Sequence, residues 1–149
     1  MTATAPTPLA RYTDDALDAL LAHFERATLP QAEWTHAAHV AVATAVVLRD
    51  GPRALDVLRA GIRRLNAAHG LIESPTRGYH ETLTHFYAWA VAREVARSAP
   101  GEGRGAVATR AVATLDDRLL PLRHWTKPVL MSPAARAGWV EPDLAPLEA

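Results

Sequence analysis

The sequence predicts an all-α protein, a single-domain helical bundle of four main helices followed by shorter C-terminal helices and an extended tail. Three observations lead there. Apolar residues recur at helical spacing in four separate segments. Good helix-starting residues and helix-stopping glycines and prolines punctuate those segments. No alternating pattern of strand length persists anywhere in the 149 residues.

The elements follow in order. Residues 1–11, rich in Ala, Thr and Pro, read as a flexible arm, and residues 12–149 as the helical domain. Thr13 is a good N-cap, and Asp14 and Asp15 suit the positive end of a helix dipole. Leu17, Leu20, Leu21 and Phe24 then mark one stripe of a first helix ending near Ala27. A second helix spans about Thr35 to Arg49 and stops at Gly51. Pro52 opens a third, which carries Leu55, Leu58, Ile62 and Leu65 and ends near Gly70. A loop with Pro75 and Gly78 leads into a fourth helix from about Tyr79 to Ser98. A weaker helix is expected from about Val107 to Leu119, and Ser132-Pro133 starts a short one reaching Trp139.

Composition narrows the function. Lys+Arg and Asp+Glu balance at 16 each, so there is no electrostatic footprint for nucleic acid or an anionic membrane. No apolar run is long enough to span a bilayer, the first ten residues do not read as a signal peptide, and a cytoplasmic location is expected. Without cysteine, a metal would have to be held by His and carboxylate groups. The expected partner is a small-molecule substrate, and a homodimer is compatible with the sequence.

The histidines carry the strongest functional signal. At about 100° per residue, His36 and His39 share the core-facing stripe of the second helix, and His80 opens the corresponding stripe of the fourth. His85 lies off that stripe. Short connections make successive helices antiparallel, so helices two and four begin at the pole where helices one and three end. His36, His39, His80, His69 and His23 gather there, five of the seven histidines, with Trp34, Asn66, Arg77, Tyr79 and Glu81.

Two imidazoles one turn apart on a helix can clasp a divalent ion, with His80 as third ligand. A helix N-terminus favours the neutral imidazole that binds metal. The expectation is therefore a mononuclear site of His36, His39 and His80 holding Zn²⁺, Fe²⁺, Cu²⁺ or Ni²⁺. Glu81 or Tyr79 would handle a proton, and Trp34, Asn66 and Arg77 would contact a small polar metabolite undergoing hydrolysis, elimination or isomerisation. Two alternatives stand beside this metal-dependent hydrolase or lyase. One is a metal-free enzyme or binding protein using the same histidines as acid/base or hydrogen-bonding groups. The other is a helical interaction protein with a structural histidine network. His69, in the last turn of its helix, reads as a C-terminal cap, and His23 and His124 as structural or exposed. The segment around Arg123, His124, Trp125 and Lys127 reads as a wrap over apolar helix faces, with a lid over the histidine pole as its rival.

Four blocks are similar to a family of small, largely uncharacterised helical proteins. They are Trp34-Thr35-His36-Ala37-Ala38-His39, Gly78-Tyr79-His80-Glu81-Thr82, Ser132-Pro133-Ala134-Ala135-Arg136 and Glu141-Pro142-Asp143-Leu144. The resemblance spans about Phe24 to Leu147. It implies that His36, His39, His80 and Glu81 are signature polar positions, and it carries no settled activity.

Overall fold

The structure, a computed structural model, describes residues 11–148. Most of the expected N-terminal arm lies outside them. The described residues form an all-α bundle without strands, apart from an isolated bridge between Ser74 and Arg77. The helices are α1 (Asp14–Glu25), α2 (His36–Asp50), α3 (Ala54–Ala68), α4 (Glu81–Ala96), α5 (Arg104–Leu115), α6 (Lys127–Leu130) and α7 (Pro133–Ala137). Single turns of 3-10 helix occupy Gln31–Glu33, Gly51–Arg53 and Leu120–Arg123.

Local chemistry explains the starts. The hydroxyls of Thr13, Thr35 and Ser132 accept from the backbone N–H of Ala16, Ala38 and Ala135, which removes one orphan donor from α1, α2 and α7. Gly51, at φ +53°, ends α2 in a conformation that costs glycine little.

The central element is α2. Ala38 and every residue from Val40 to Val46 are buried, so this helix is apolar nearly all round and has no face to give to water. Thr44 is the polar member of that run, and its hydroxyl donates to the Val40 carbonyl at 2.8 Å. α1, α3, α4 and α5 all pack on α2. α5, expected as a weaker helix, is as long as α1 and buries Val107, Ala108, Ala111, Val112 and Leu115. Small residues let it lie close. At Gly105 a Cβ would overlap the backbone of Tyr12, Thr13 and Asp14, and the Gly105 N–H donates to the Asp14 carboxylate at 2.8 Å. The start of α5 is thereby locked to the start of α1.

Residues after Leu120 form a wrap on the outer face of α4. Phe86, Trp125 and Leu130 make a small second core there. Thr82, fully buried on α4, donates to the Gly138 carbonyl and accepts from the Val140 N–H. Trp125 Nε1 donates to the Val140 carbonyl, and Trp89 Nε1 to that of Glu148. These bonds make the segment a structural cover. Among the described residues no helix is long and apolar enough to cross a membrane.

Candidate functional site

At the pole where α2 and α4 begin, an apolar cavity of about 170 Å³ lies between α2, α3, α4 and the loop before α4. Val40, Ala43, Leu58, Ile62 and Leu83 form its apolar wall. His36, His39, Asn66, Tyr79, His80 and Trp34 also line it, so six of the eight expected site residues meet at one place. The other two do not. Glu81 sits behind the wall, and Arg77 is exposed on the loop.

His36 is the first residue of α2, and its ring reaches across to the end of α5. Its Nδ1–H donates to Asp116 Oδ1 at 2.8 Å, and its edge meets the ring of Tyr87, with centroids 5.0 Å apart. Tyr87 is fixed in turn by its hydroxyl, which donates to the Asp117 carbonyl at 2.8 Å. A carboxylate on Nδ1 selects the tautomer in which Nε2 carries the lone pair. Nε2 has no hydrogen-bond partner among the described residues, and the ring lines the cavity.

One turn on, His39 stacks on Trp34 with ring centroids 3.7 Å apart, and Trp34 leans on Phe24. Burial pushes the His39 pKa down to about 3, with the charges of His36 and Arg118 acting in the same direction. At neutral pH this imidazole is uncharged, one donor and one acceptor on a rigid aromatic support. Asn66, on the facing side of α3, makes no side-chain hydrogen bond among the described residues and adds a second uncommitted polar group.

His80 behaves differently from the expectation. α4 begins at Glu81, so His80 is its N-cap rather than a residue on its face. Its Nδ1 accepts from the Leu83 N–H at 3.1 Å, and its Nε2–H donates to the Leu130 carbonyl at 2.7 Å. Both ring nitrogens are consumed by backbone groups. Burial lowers the pKa, which keeps the ring in the neutral form that cap geometry requires. His80 therefore has no lone pair to share with a metal held by His36 and His39. Among the described residues no group of three or more His, Cys, Asp or Glu side chains is placed to hold a metal ion. The residues present do not fit the three-histidine centre expected from the spacing.

Glu81 and Tyr79, expected to move a proton, are tied to each other. The Tyr79 hydroxyl donates to Glu81 Oε1 at 2.6 Å, and Arg59 of α3 grips both carboxylate oxygens at 2.8 and 2.6 Å. The Arg59 hydrogen bonds hold the Glu81 carboxyl below its ordinary range. Burial, followed by the bond to Glu81, raises the Tyr79 hydroxyl well above its own. The trio braces α3 against α4 and sets the wall of the cavity.

No family model, no curated protein and no solved structure matches the chain. The geometry of the cavity therefore carries the functional argument alone.

The remaining histidines are structural. His69 is the C-cap residue of α3, and its Nε2–H donates to the Leu29 carbonyl at 2.8 Å. His23 pairs with Thr28, His124 donates to the Ala145 carbonyl, and His85 packs on Trp139. The partner of His36 that sequence reasoning missed is Asp116. Its signal was the pair Asp116-Asp117 in what would have been the last turn of the α5 helix. Acidic groups oppose the dipole there, and their presence argues for an earlier stop. The helix does stop, at Leu115.

Proposed function

We propose that the protein is a small metal-free enzyme that moves a proton on a compact, largely apolar molecule. His36 is the general base, and Asp116 is the positioning residue behind it. One observation carries the reading. A histidine–carboxylate pair stands at an apolar cavity with Nδ1 occupied and Nε2 uncommitted. The carboxylate fixes the ring orientation and stabilises the imidazolium formed when Nε2 takes a proton.

The cavity defines the substrate class. A volume of about 170 Å³ is comparable with the roughly 150 Å³ engineered cavity that holds benzene. A body of about six to ten heavy atoms suits such a space, with one oxygen directed at the uncommitted Asn66 amide and the neutral His39 ring. No Ser or Thr hydroxyl bonds to His36 among the described residues, so direct proton abstraction is favoured over a covalent intermediate. Isomerisation or elimination next to a carbonyl fits these parts, since the oxygen gains charge as the carbon loses its proton.

The test uses a panel of small ketones, aldehydes and β-substituted carbonyl compounds with the full chain. Fragment binding is read by NMR at the imidazole resonances, and solvent deuterium incorporation reports proton abstraction. Exchange is expected to resist chelators, to vanish in His36→Gln, and to fall by roughly 10²–10⁴ in Asp116→Asn with little change in KM. Exchange that survives His36→Gln, or that depends on added Zn²⁺, overturns the assignment. So does a cavity that takes up none of the panel.

A further inference from the structure

A second cavity, about 430 Å³ and open to solvent, lies on the far side of Tyr79 between α3, the loop before α4 and α7. Two guanidinium groups reach it from different elements. Arg63 of α3 lies over the Tyr79 ring, with Cζ 4.7 Å from the centroid. Arg136 of α7 donates from Nη1 to the Gly78 carbonyl at 2.8 Å. Its Nε–H is buried and has no acceptor among the described residues.

Arg136 is positioned by a neutral carbonyl, whereas Arg63 also faces the carboxylate of Glu73, which lines the same cavity. Arg136 has no ion pair among the described residues, and Arg63 meets only Glu73, at a loose 3.9 Å with both groups about half exposed. Arg59 and Arg110, by contrast, are gripped closely, by Glu81 at 2.6 Å and by Glu94 at 2.8 Å. Two guanidinium groups against the single carboxylate of Glu73 leave the concavity with a surplus of positive charge. A compact oxyanion would offset that surplus, because guanidinium groups are matched in shape and charge to carboxylate and phosphate oxygens. Ser74 lines the same cavity and adds a hydroxyl donor. Gly78, at φ +102°, turns the loop so that its carbonyl anchors Arg136, and a Cβ there would press on Glu73.

We infer that the cavity bounded by Arg63, Arg136, Ser74 and Tyr79 is a binding site for a compact oxyanion, a carboxylate or a phosphate group. The site is separate from the His36 chemistry and does not rest on it.

Amide NMR of the full chain tests the site, with inorganic phosphate and succinate titrated separately at ionic strength held constant with sodium chloride. Saturable shifts are expected at Ser74, Gly78 and Tyr79, with dissociation constants on the order of 1 mM or tighter. Arg63→Gln is expected to weaken binding by about tenfold or more. Ser74→Asp, on an exposed loop, is expected to abolish it while the helical circular dichroism stays unchanged. Saturation by phosphate alone identifies a phosphorylated ligand, by succinate alone a carboxylate, and by both a site that reads only the shared oxyanion. The inference is overturned if neither anion saturates, if sodium chloride reproduces the shifts, or if Arg63→Gln and Ser74→Asp bind as the unmodified chain does.

Discussion

His39 makes the fold sensitive to acid in a way that can be worked from the site. Its ring is stacked on Trp34 and largely shielded, and its pKa is pushed from the ordinary 6.5 down to about 3. The folded-state value lies below the unfolded one, so the unfolded chain binds a proton that the native ring refuses. Stability is then complete above about pH 6.5 and is lost as pH falls toward 3. At pH 5 the shift corresponds to about 2 kcal/mol, and partial exposure of the ring to the cavity reduces this to about 1–2 kcal/mol. His80 contributes in the same direction, so the measurement must isolate one ring. Urea unfolding of the unmodified chain and of His39→Gln, at intervals between pH 7.5 and 5, does so. The difference in unfolding free energy between the two should shrink by about 1–2 kcal/mol over that range. The ring protons of His39 should show no titration shift across the same interval. Parallel stability curves, or a titration of His39 near pH 6.5, would falsify the reasoning.

Two further substitutions probe the frame of the site. Gly105→Ala drives a methyl group into the backbone of Tyr12–Asp14, and an overpacking cost of about 1–3 kcal/mol should appear as a lowered thermal midpoint. A midpoint unchanged from the parent chain would mean that α5 does not approach α1 as closely as described. Glu81→Gln strips Arg59 of its bidentate partner and weakens the Tyr79 brace, at about 2 kcal/mol measured by urea unfolding at pH 7. The folded carboxyl is held below its ordinary pKa, so this contribution is present above about pH 4.5 and disappears as pH falls through the depressed value. The cost of Glu81→Gln should therefore vanish in acid, and a cost that persists undiminished there would assign the effect to packing instead.

Much of the fold could be read from residues close together in the chain. Thr13, Thr35 and Ser132 announce their helices because a cap acts over three residues. The stripes of α1 and α3 announce their buried faces because helical spacing is local. The gathering of His36, His39, Asn66, Tyr79 and His80 followed from antiparallel packing, and all five do line one cavity. What was not legible turned on small shifts of helix boundaries. With α4 expected from Tyr79, the His80 ring projects from a helix face. With α4 starting at Glu81, the same ring is a cap and spends both nitrogens on the backbone. With α5 expected to reach Leu119, Asp116 is an ordinary helical residue, whereas a stop at Leu115 frees it to meet His36. That contact joins residues 80 apart in sequence, and nothing local to either one encodes it. The strength of α5 was also hidden, because its small residues gain their value from a fit against α2 rather than from a broad apolar stripe.

The encasement of α2 has a consequence for how the site ages and renews itself. A helix enclosed on every side opens only when the whole molecule does, so the amides of Val40 to Val46 should be the last to take up deuterium. His36 and His39 lie in the turn that leads directly into that slow-exchanging segment, whereas Asp116 belongs to an exposed turn that can breathe on its own. The imidazoles are therefore expected to hold their places longer than the Asp116 carboxylate that His36 meets. Isotope exchange around Asp116 should run ahead of that around Val40 by the full span between local and global opening.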